Sequence, residues 1–311
     1  VEQGKTAEIF SNPQHPYTLN LLNNYRLRST SDHLSESLKL SERSFTQKMP
    51  PVLSVKNLST WFPAKRNFFG KTTEHVKAVD EVSFEVQPGE TLGVVGESGS
   101  GKTTLGRTIL GLLKPTAGQV FYREKNLTQL PENEWKTLRR ELQIIFQDPW
   151  NSLNPRLSVG AAIAEPMRVH GILPTQKERH EQALELLETV GLEAKHFHRF
   201  PHEFSGGQRQ RLCIARALAS EPKFIVCDEC VSSLDVTVQT QVLDLLMKLK
   251  EEKGLTYIFI SHDLSVVRLV SDRVAVMQAG KIVEMGGVGE VFFQPKMAYT
   301  RQLLSAISAG V

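Results

Sequence analysis

The chain has only three cysteines, Cys213, Cys227 and Cys230. An odd number clustered in one region excludes a disulfide framework, and a reducing cytosol is the default compartment. Long apolar runs are missing too: none approaches the roughly 20 residues needed to span a bilayer. Any membrane role is therefore expected to come through a partner. Nothing after Val1 has the basic-then-apolar form of a signal segment. Excess charge is also scarce. Thirty-seven Lys and Arg against 34 Asp and Glu leave a formal net charge of +3, too little to argue for nucleic acid. What remains is 311 residues, 40% apolar and 23% charged, ordinary for a soluble globular protein. That length has room for about two domains.

The strongest local signal is Gly96-Glu97-Ser98-Gly99-Ser100-Gly101-Lys102-Thr103, which fits the phosphate-binding loop pattern G-x-x-x-x-G-K-[ST]. Glycine-rich backbone can curl so that successive N–H groups face one anion. Lys102 adds a cation for the β- and γ-phosphates of ATP, and the Thr103 hydroxyl can ligate Mg²⁺. Thr91–Val95 before the loop reads as a buried strand. Thr103–Leu113 after it, opening with Thr103 and Thr104, reads as a helix whose N-terminus favours the same anion. A Gly-rich turn without nucleotide is the competing reading, and the strand–loop–helix context argues against it.

The two ends of the chain resemble each other. Residues 1–25 align without gaps on 283–307, and ten positions match: Val1, Glu2, Gly4, Glu8, Phe10, Pro13, Tyr17, Thr18, Leu21 and Leu22. The simplest account is that 1–25 is the tail of an earlier copy of the same domain. The chain is then expected to be a fragment: a tail, a flexible linker at 26–50 rich in Ser, Arg, Lys and Glu, one domain from about 51 to 282, and its own tail at 283–311.

Within the domain, Val52–Val55 and Val82–Val86 alternate as half-buried strands do. Between them lie Trp61-Phe62-Pro63 and a basic loop with Lys65, Arg66 and Lys71. One aromatic, Phe62 ahead of Trp61, could stack on adenine, with core packing as the alternative. Gln143–Gln147 reads as a strand that ends on a polar Gln147, able to reach Mg²⁺ or an attacking water, or simply solvent. Pro149 then breaks regular structure. Thr175 and Glu178 fit a capping box for a helix carrying Ala183, Leu186 and Leu187. Ser205-Gly206-Gly207-Gln208 opens another helix: Ser205 is placed to cap it, and the two glycines are expected to leave its N–H groups bare for an anion. Phe224–Glu229 is an apolar strand ending in two carboxylates: Asp228 suits Mg²⁺, and Glu229 suits polarising a water aimed at the γ-phosphate. Cys227-x-x-Cys230 brackets that pair, but a redox motif needs its first Cys at a helix N-terminus, not inside a strand. Thr256–Ile260 is a further strand, followed by Ser261-His262-Asp263. His262 could donate to the γ-phosphate or be structural. Strands alternating with helices predict an α/β doubly wound sheet with ligands at the carboxyl ends of its strands.

Taken together these motifs resemble the ATP-binding cassette (ABC) transporter family over about 51–282. Gly96–Thr103 is similar to its Walker A loop, Gln147 to its Q-loop, Ser205–Gln208 to its signature, Phe224–Glu229 to Walker B, Ser233-Leu234-Asp235 to the D-loop and His262 to the switch histidine. The resemblance implies a P-loop NTPase sheet, an antiparallel β subdomain and an inserted helical subdomain at about 148–220 that touches a permease. It also implies that Ser205–Gln208 and Asp235 face nucleotide held by a second cassette, and that the cofactors are ATP and Mg²⁺.

Phe146–Pro149, Ser152–Pro155 and the tail residues Pro295, Tyr299, Thr300, Leu303 and Leu304 look like the oligopeptide/dipeptide importer branch. The two copies resemble the fused two-cassette subunits of Yej-type peptide importers and of glutathione importers. That branch implies an ATPase at the cytoplasmic face of a bacterial inner membrane, energising peptide import. Its partners would be permease subunits and, through them, a periplasmic or extracellular binding protein. Another small substrate (glutathione, nickel) or a non-transport ATPase is the alternative. Two departures stand out: Cys230 replaces the usual Pro after Walker B, and Phe204 replaces the usual Leu before the signature Ser. With no Cys after Cys230, no iron–sulfur cluster is expected in the tail.

Overall fold

The computed structural model describes residues 2–3, 9, 12–15, 18–19, 50–66 and 72–308. Most of the inferred linker at 26–50 lies outside them, as does Lys71.

The chain opens its main body with two long antiparallel strands, β1 (Leu53–Arg66) and β2 (Thr72–Val86). Trp61, Phe62 and Pro63, expected between strands, lie inside β1 opposite Lys77, Val76 and His75. Backbone pairing carries this hairpin beyond the residues that bury a core, so alternating hydrophobicity could not reveal it. β3 (Thr91–Val95) feeds the Gly-rich loop and α1 (Lys102–Ile109). β4 (Ala117–Tyr122) and the short β5 (Lys125–Asn126) complete a four-stranded antiparallel sheet ordered β2-β1-β4-β5. α2 (Glu132–Glu141) leads to β6 (Leu142–Ile145).

A run of helices follows: α3 (Pro149–Ser152), α4 (Val159–His170), α5 (Gln176–Thr189) and α6 (Gly206–Leu218). The capping box at Thr175 and Glu178 is present at the start of α5. The chain then returns to β7 (Phe224–Asp228), α7 (Val236–Lys253), β8 (Thr256–Ile260), α8 (Leu264–Val270) and the hairpin β9 (Arg273–Gln278) and β10 (Lys281–Gly287). It ends with α9 (Val288–Phe293) and α10 (Ala298–Ser308).

The second sheet has six strands in the order β10-β9-β3-β8-β7-β6, parallel except for β10. Its central strands are buried on both faces, which is why they read as continuous apolar runs. Phe224 and Val226 join one core with Ile258, Ile260, α1 and the antiparallel sheet. Ile225 and Cys227 join the other, with Tyr257, Phe259 and the helices α6, α7 and α8. Burying both faces aims the strand ends, and the polar residues on them, at one edge.

Candidate functional site

The Gly-rich loop leaves β3 with Gly96 buried and Glu97, Ser98 and Gly99 exposed. Gly96, Gly99 and Gly101 all have positive φ, at +154°, +81° and +106°. A Cβ on Gly96 would stand 2.1 Å from the Met277 carbonyl oxygen, so only glycine lets the loop pass this close to β9. Ser100 is tied to the β9–β10 turn, its carbonyl accepting the Gly280 N–H at 3.0 Å. Its hydroxyl oxygen is buried and has no hydrogen-bond partner among the described residues. An orphaned buried hydroxyl in this loop fits a phosphate oxygen as its acceptor. Lys102 is buried, its Nζ donating to the carbonyls of Gly96 (2.8 Å) and Glu97 (2.9 Å). Burial pulls its pKa down, and the nearby Glu229 and Asp228 oppose that shift without cancelling it.

Two strand ends meet this loop. Thr103 Oγ1 donates to Asp228 Oδ1 at 2.7 Å, joining the start of α1 to the end of β7. Asp228 is buried, and burial pushes its pKa up. The Thr103 hydroxyl and the Arg107 guanidinium, 3.8 Å away, oppose that shift without cancelling it. A buried carboxylate beside a hydroxyl, both hard oxygen donors, is a donor set that fits Mg²⁺ shared with phosphate oxygens. Glu229 takes a left-handed backbone, φ +49°, unusual for a non-glycine residue, and its N–H is fixed on the Ile260 carbonyl at 2.9 Å. Its Oε2 lies 3.1 Å from His262 Nδ1, so the end of β8 delivers the histidine to the carboxylate.

Gln147 does not end a strand. β6 stops at Ile145 because Asp148 turns the chain, capping α3 by accepting the Trp150 N–H at 2.8 Å. The Gln147 amide donates to Ser232 Oγ at 3.5 Å, and that hydroxyl donates to the Glu229 carbonyl at 2.9 Å. Gln147 is thus tied to the Glu229 backbone through Ser232, which composition and spacing did not single out.

The signature residues form a second group. Ser205 caps the helix as expected, but its N–H groups are not all bare. Ser205 Oγ accepts the Gln208 N–H at 3.3 Å, and Gln208 Oε1 accepts the Ser205 N–H at 3.0 Å, a reciprocal capping box. Gly206 remains exposed. Gly207 packs on α7: a Cβ there would meet Val238 Cγ1 at 2.2 Å. Asp235 caps α7 through the Val238 N–H at 3.0 Å, so signature and D-loop share one seam.

Phe62 is 39% exposed on β1, while Trp61 is packed between Lys77 (4.7 Å from its ring) and His75 (6.2 Å between ring centres). Two residues before Phe62, Thr60 Oγ1 lies 3.0 Å from Thr108 Oγ1 of α1, placing this strand beside the phosphate-loop helix. Cys227 and Cys230 are buried with their thiols hydrogen-bonded. That bond, then burial, pushes Cys227 well up and makes it a poor nucleophile. Sequence reasoning also missed Trp150, whose ring lies 3.3 Å from the Arg209 guanidinium just past the signature.

Among the described residues no helix is long and apolar enough to cross a membrane. A family model described as ABC transporter matches residues 79–232, and one described as Oligopeptide/dipeptide transporter, C-terminal region, matches 1–48. The glutathione import ATP-binding protein GsiA of Escherichia coli K12 is 46% identical over 99% of this chain, which covers 51% of that protein. The protein of the same name from E. coli O6:H1 is 47% identical with the same coverage. The chain spans about half the length of the curated relatives it matches. Among solved structures, the dimeric post-hydrolysis form of the ATP-binding cassette MJ0796 bound to ADP and Pi superposes with a TM-score of 0.68 at 30% identity. That match covers 76% of this chain and 98% of that one. CbiO1 of Clostridium perfringens, part of the ABC transporter complex cbiONQ, gives a TM-score of 0.67 at 27% identity, over 83% and 98% of the two chains. Loop, carboxylate pair, histidine and signature in these positions, with this likeness to a cassette solved with ADP and phosphate, place the chain in the ATP-binding cassette family of transporter proteins.

Proposed function

We propose that the chain hydrolyses ATP and that a membrane permease uses the cycle to import a peptide-like substrate. The observation that carries this reading is the convergence of Thr103 on Asp228 at 2.7 Å and of His262 on Glu229 at 3.1 Å beside the Gly-rich loop. In this reading Gly96–Thr103 and Thr104 wrap the phosphates, Lys102 leaves its loop carbonyls for the β- and γ-oxygens, and Phe62 stacks on adenine. Thr103, Asp228 and Gln147 would hold Mg²⁺, which when bound neutralises phosphate charge. Glu229 takes the proton of the attacking water as its oxygen bonds the γ-phosphorus, and the bond to the β–γ bridging oxygen breaks to leave ADP and phosphate. His262 orients Glu229. Ser205–Gln208 and Asp235 serve nucleotide on a partner cassette, which opens the Ser205–Gln208 box and frees N–H groups for the γ-phosphate.

Residues 1–25 are read as the tail of a preceding cassette, 51–282 as the nucleotide-binding domain with its helical subdomain at about 148–220, and 283–311 as its tail. Two observations support this. The importer C-terminal-region model matches 1–48. Glu2 also accepts the N–H groups of Gln14 (2.8 Å) and His15 (3.2 Å) just as Glu284, 282 residues on, accepts those of Lys296 (2.7 Å) and Met297 (3.1 Å). The import ATPases it resembles by name suggest glutathione or a short peptide as cargo, a substrate-binding protein outside the membrane, and a place at the cytoplasmic face of a bacterial inner membrane. The test is Glu229→Gln. Phosphate release should fall roughly 100-fold or more while ATP affinity stays within a few-fold, because the phosphate clamps survive and the water-activating carboxylate does not. Turnover close to that of the unmodified chain would sink the assignment.

A further inference from the structure

The C-terminal segment touches the phosphate loop. Glu284 on β10 accepts the N–H groups of Lys296 and Met297, immediately before α10, and so holds that helix by its positive end. Burial pushes Glu284 up, but the hydrogen bonds it accepts, those of the two amides among them, outweigh it and keep its carboxyl below the usual range. The clamp sets the first turn of α10. There Tyr299 packs against the apolar core beside Leu303, and its Oη accepts the N–H of Glu97 at 3.3 Å. The carbonyl of Glu97 accepts Lys102 Nζ at 2.9 Å and the Ser100 N–H at 3.2 Å. The Glu97 N–H shares its peptide with the Gly96 carbonyl, which also accepts Lys102 Nζ at 2.8 Å, so the Gly96–Glu97 peptide joins β3 to the lysine.

We propose that Tyr299 is a positioning residue for the phosphate loop: delivered by the Glu284 clamp, it fixes the Gly96–Glu97 peptide so that Lys102 and the N–H groups after it meet the nucleotide phosphates. A loop with three positive-φ glycines has little conformational preference of its own, so its order must come from contacts. Gly280 braces one side through Ser100, and Tyr299 braces the other. The clamp is also built twice: the bonds of Glu2 to Gln14 and His15 repeat those of Glu284 at the same offset. The Thr18 hydroxyl stands at the register position of Thr300 and holds Glu2 below the usual carboxylate range. Tyr17, at the register position of Tyr299, lies outside the described residues.

This inference rests on reading Gly96–Thr103 as the nucleotide loop, and the experiment separates the two. The whole chain and its Tyr299→Phe, Glu284→Gln and Lys102→Ala variants are titrated with Mg-ADP by calorimetry, and exchange of the Glu97 amide is followed by NMR. Loss of one hydrogen bond predicts about 2- to 10-fold weaker binding for Tyr299→Phe. Faster exchange at Glu97 is expected with it, which a tyrosine that only packs would not cause. Glu284→Gln should act in the same direction and more weakly, and it decides the matter if Tyr299→Phe fails to fold. Unchanged affinity and unchanged Glu97 protection, with Lys102→Ala clearly weakened, would overturn the inference alone. Lys102→Ala binding as tightly as the parent would overturn the nucleotide reading and this inference with it.

Discussion

Gly101 is where the phosphate loop is most confined. Its φ is +106°, and a Cβ there would lie 1.9 Å from the Ala78 carbonyl oxygen and 2.9 Å from Met277 Cε. The methionine end can swing aside, but the Ala78 carbonyl belongs to β2 and cannot. For Gly101→Ala the left-handed backbone costs about 1–2 kcal/mol. Moving loop or strand by about 1 Å to clear the overlap adds roughly 1–3 kcal/mol. The sum, about 2–5 kcal/mol, corresponds to a fall of about 10 °C in thermal midpoint for a chain of this size. Gly99 supplies the control: its φ is +81°, yet its Cβ would meet nothing within 4 Å. Gly99→Ala should therefore cost only the backbone term, about 1–2 kcal/mol. Because Gly101 precedes Lys102, its variant should also lose Mg-ADP affinity by at least about tenfold, in line with the large penalty for misplacing a binding group by about 1 Å. Calorimetric melting and ADP titration of both variants measure this. Equal losses for the two would show that the loop is not held against β2 as described.

Asp228 gives a prediction with opposite signs for stability and activity. Burial raises its folded pKa above its unfolded value, so the folded state binds the extra proton and stability falls as pH rises through that window. Asp228→Asn should raise the nucleotide-free melting point at neutral pH and flatten its decline with pH, while phosphate release is lost; a lowered melting point would contradict it. Phe62→Ala should weaken ATP binding by on the order of 1–3 kcal/mol if it stacks on adenine. Trp61→Ala should cost less affinity and more stability, since its ring is already packed by Lys77 and His75. Titration of both with ATP checks the order, and the reverse order would mean the wrong aromatic was chosen.

The sequence revealed most where burial imposes a pattern. Phe224–Asp228 alternates between two cores, so an apolar strand ending in a carboxylate had to be central and had to end at a ligand edge. The Thr175–Glu178 box was legible because helix ends carry local chemistry. The extended β1–β2 hairpin was not, since its outer half lies beyond the buried core and shows no alternation of apolar residues. Gln147 was placed one element off, because the Asp148 cap ends the strand early. Ser205 was legible as the cap of its helix, but the return bond from Gln208 that leaves fewer N–H groups bare was not. The contacts least visible in sequence join residues far apart: Tyr299 to Glu97 across 202 positions, and Trp150 to Arg209. The roles of Gln147 and His262 came from likeness to a family, since neither spacing nor composition separates such a residue from a surface one.

The central claim is that each ATP site is completed by a second cassette. The most direct measurement is phosphate release per molecule as protein concentration rises from nanomolar to tens of micromolar, with association followed in parallel by sedimentation. Specific activity is expected to climb with association. Ser205→Arg should abolish the climb while leaving ATP binding to the mutated chain intact. A specific activity that stays flat across that range, in a chain that remains monomeric, would contradict the claim.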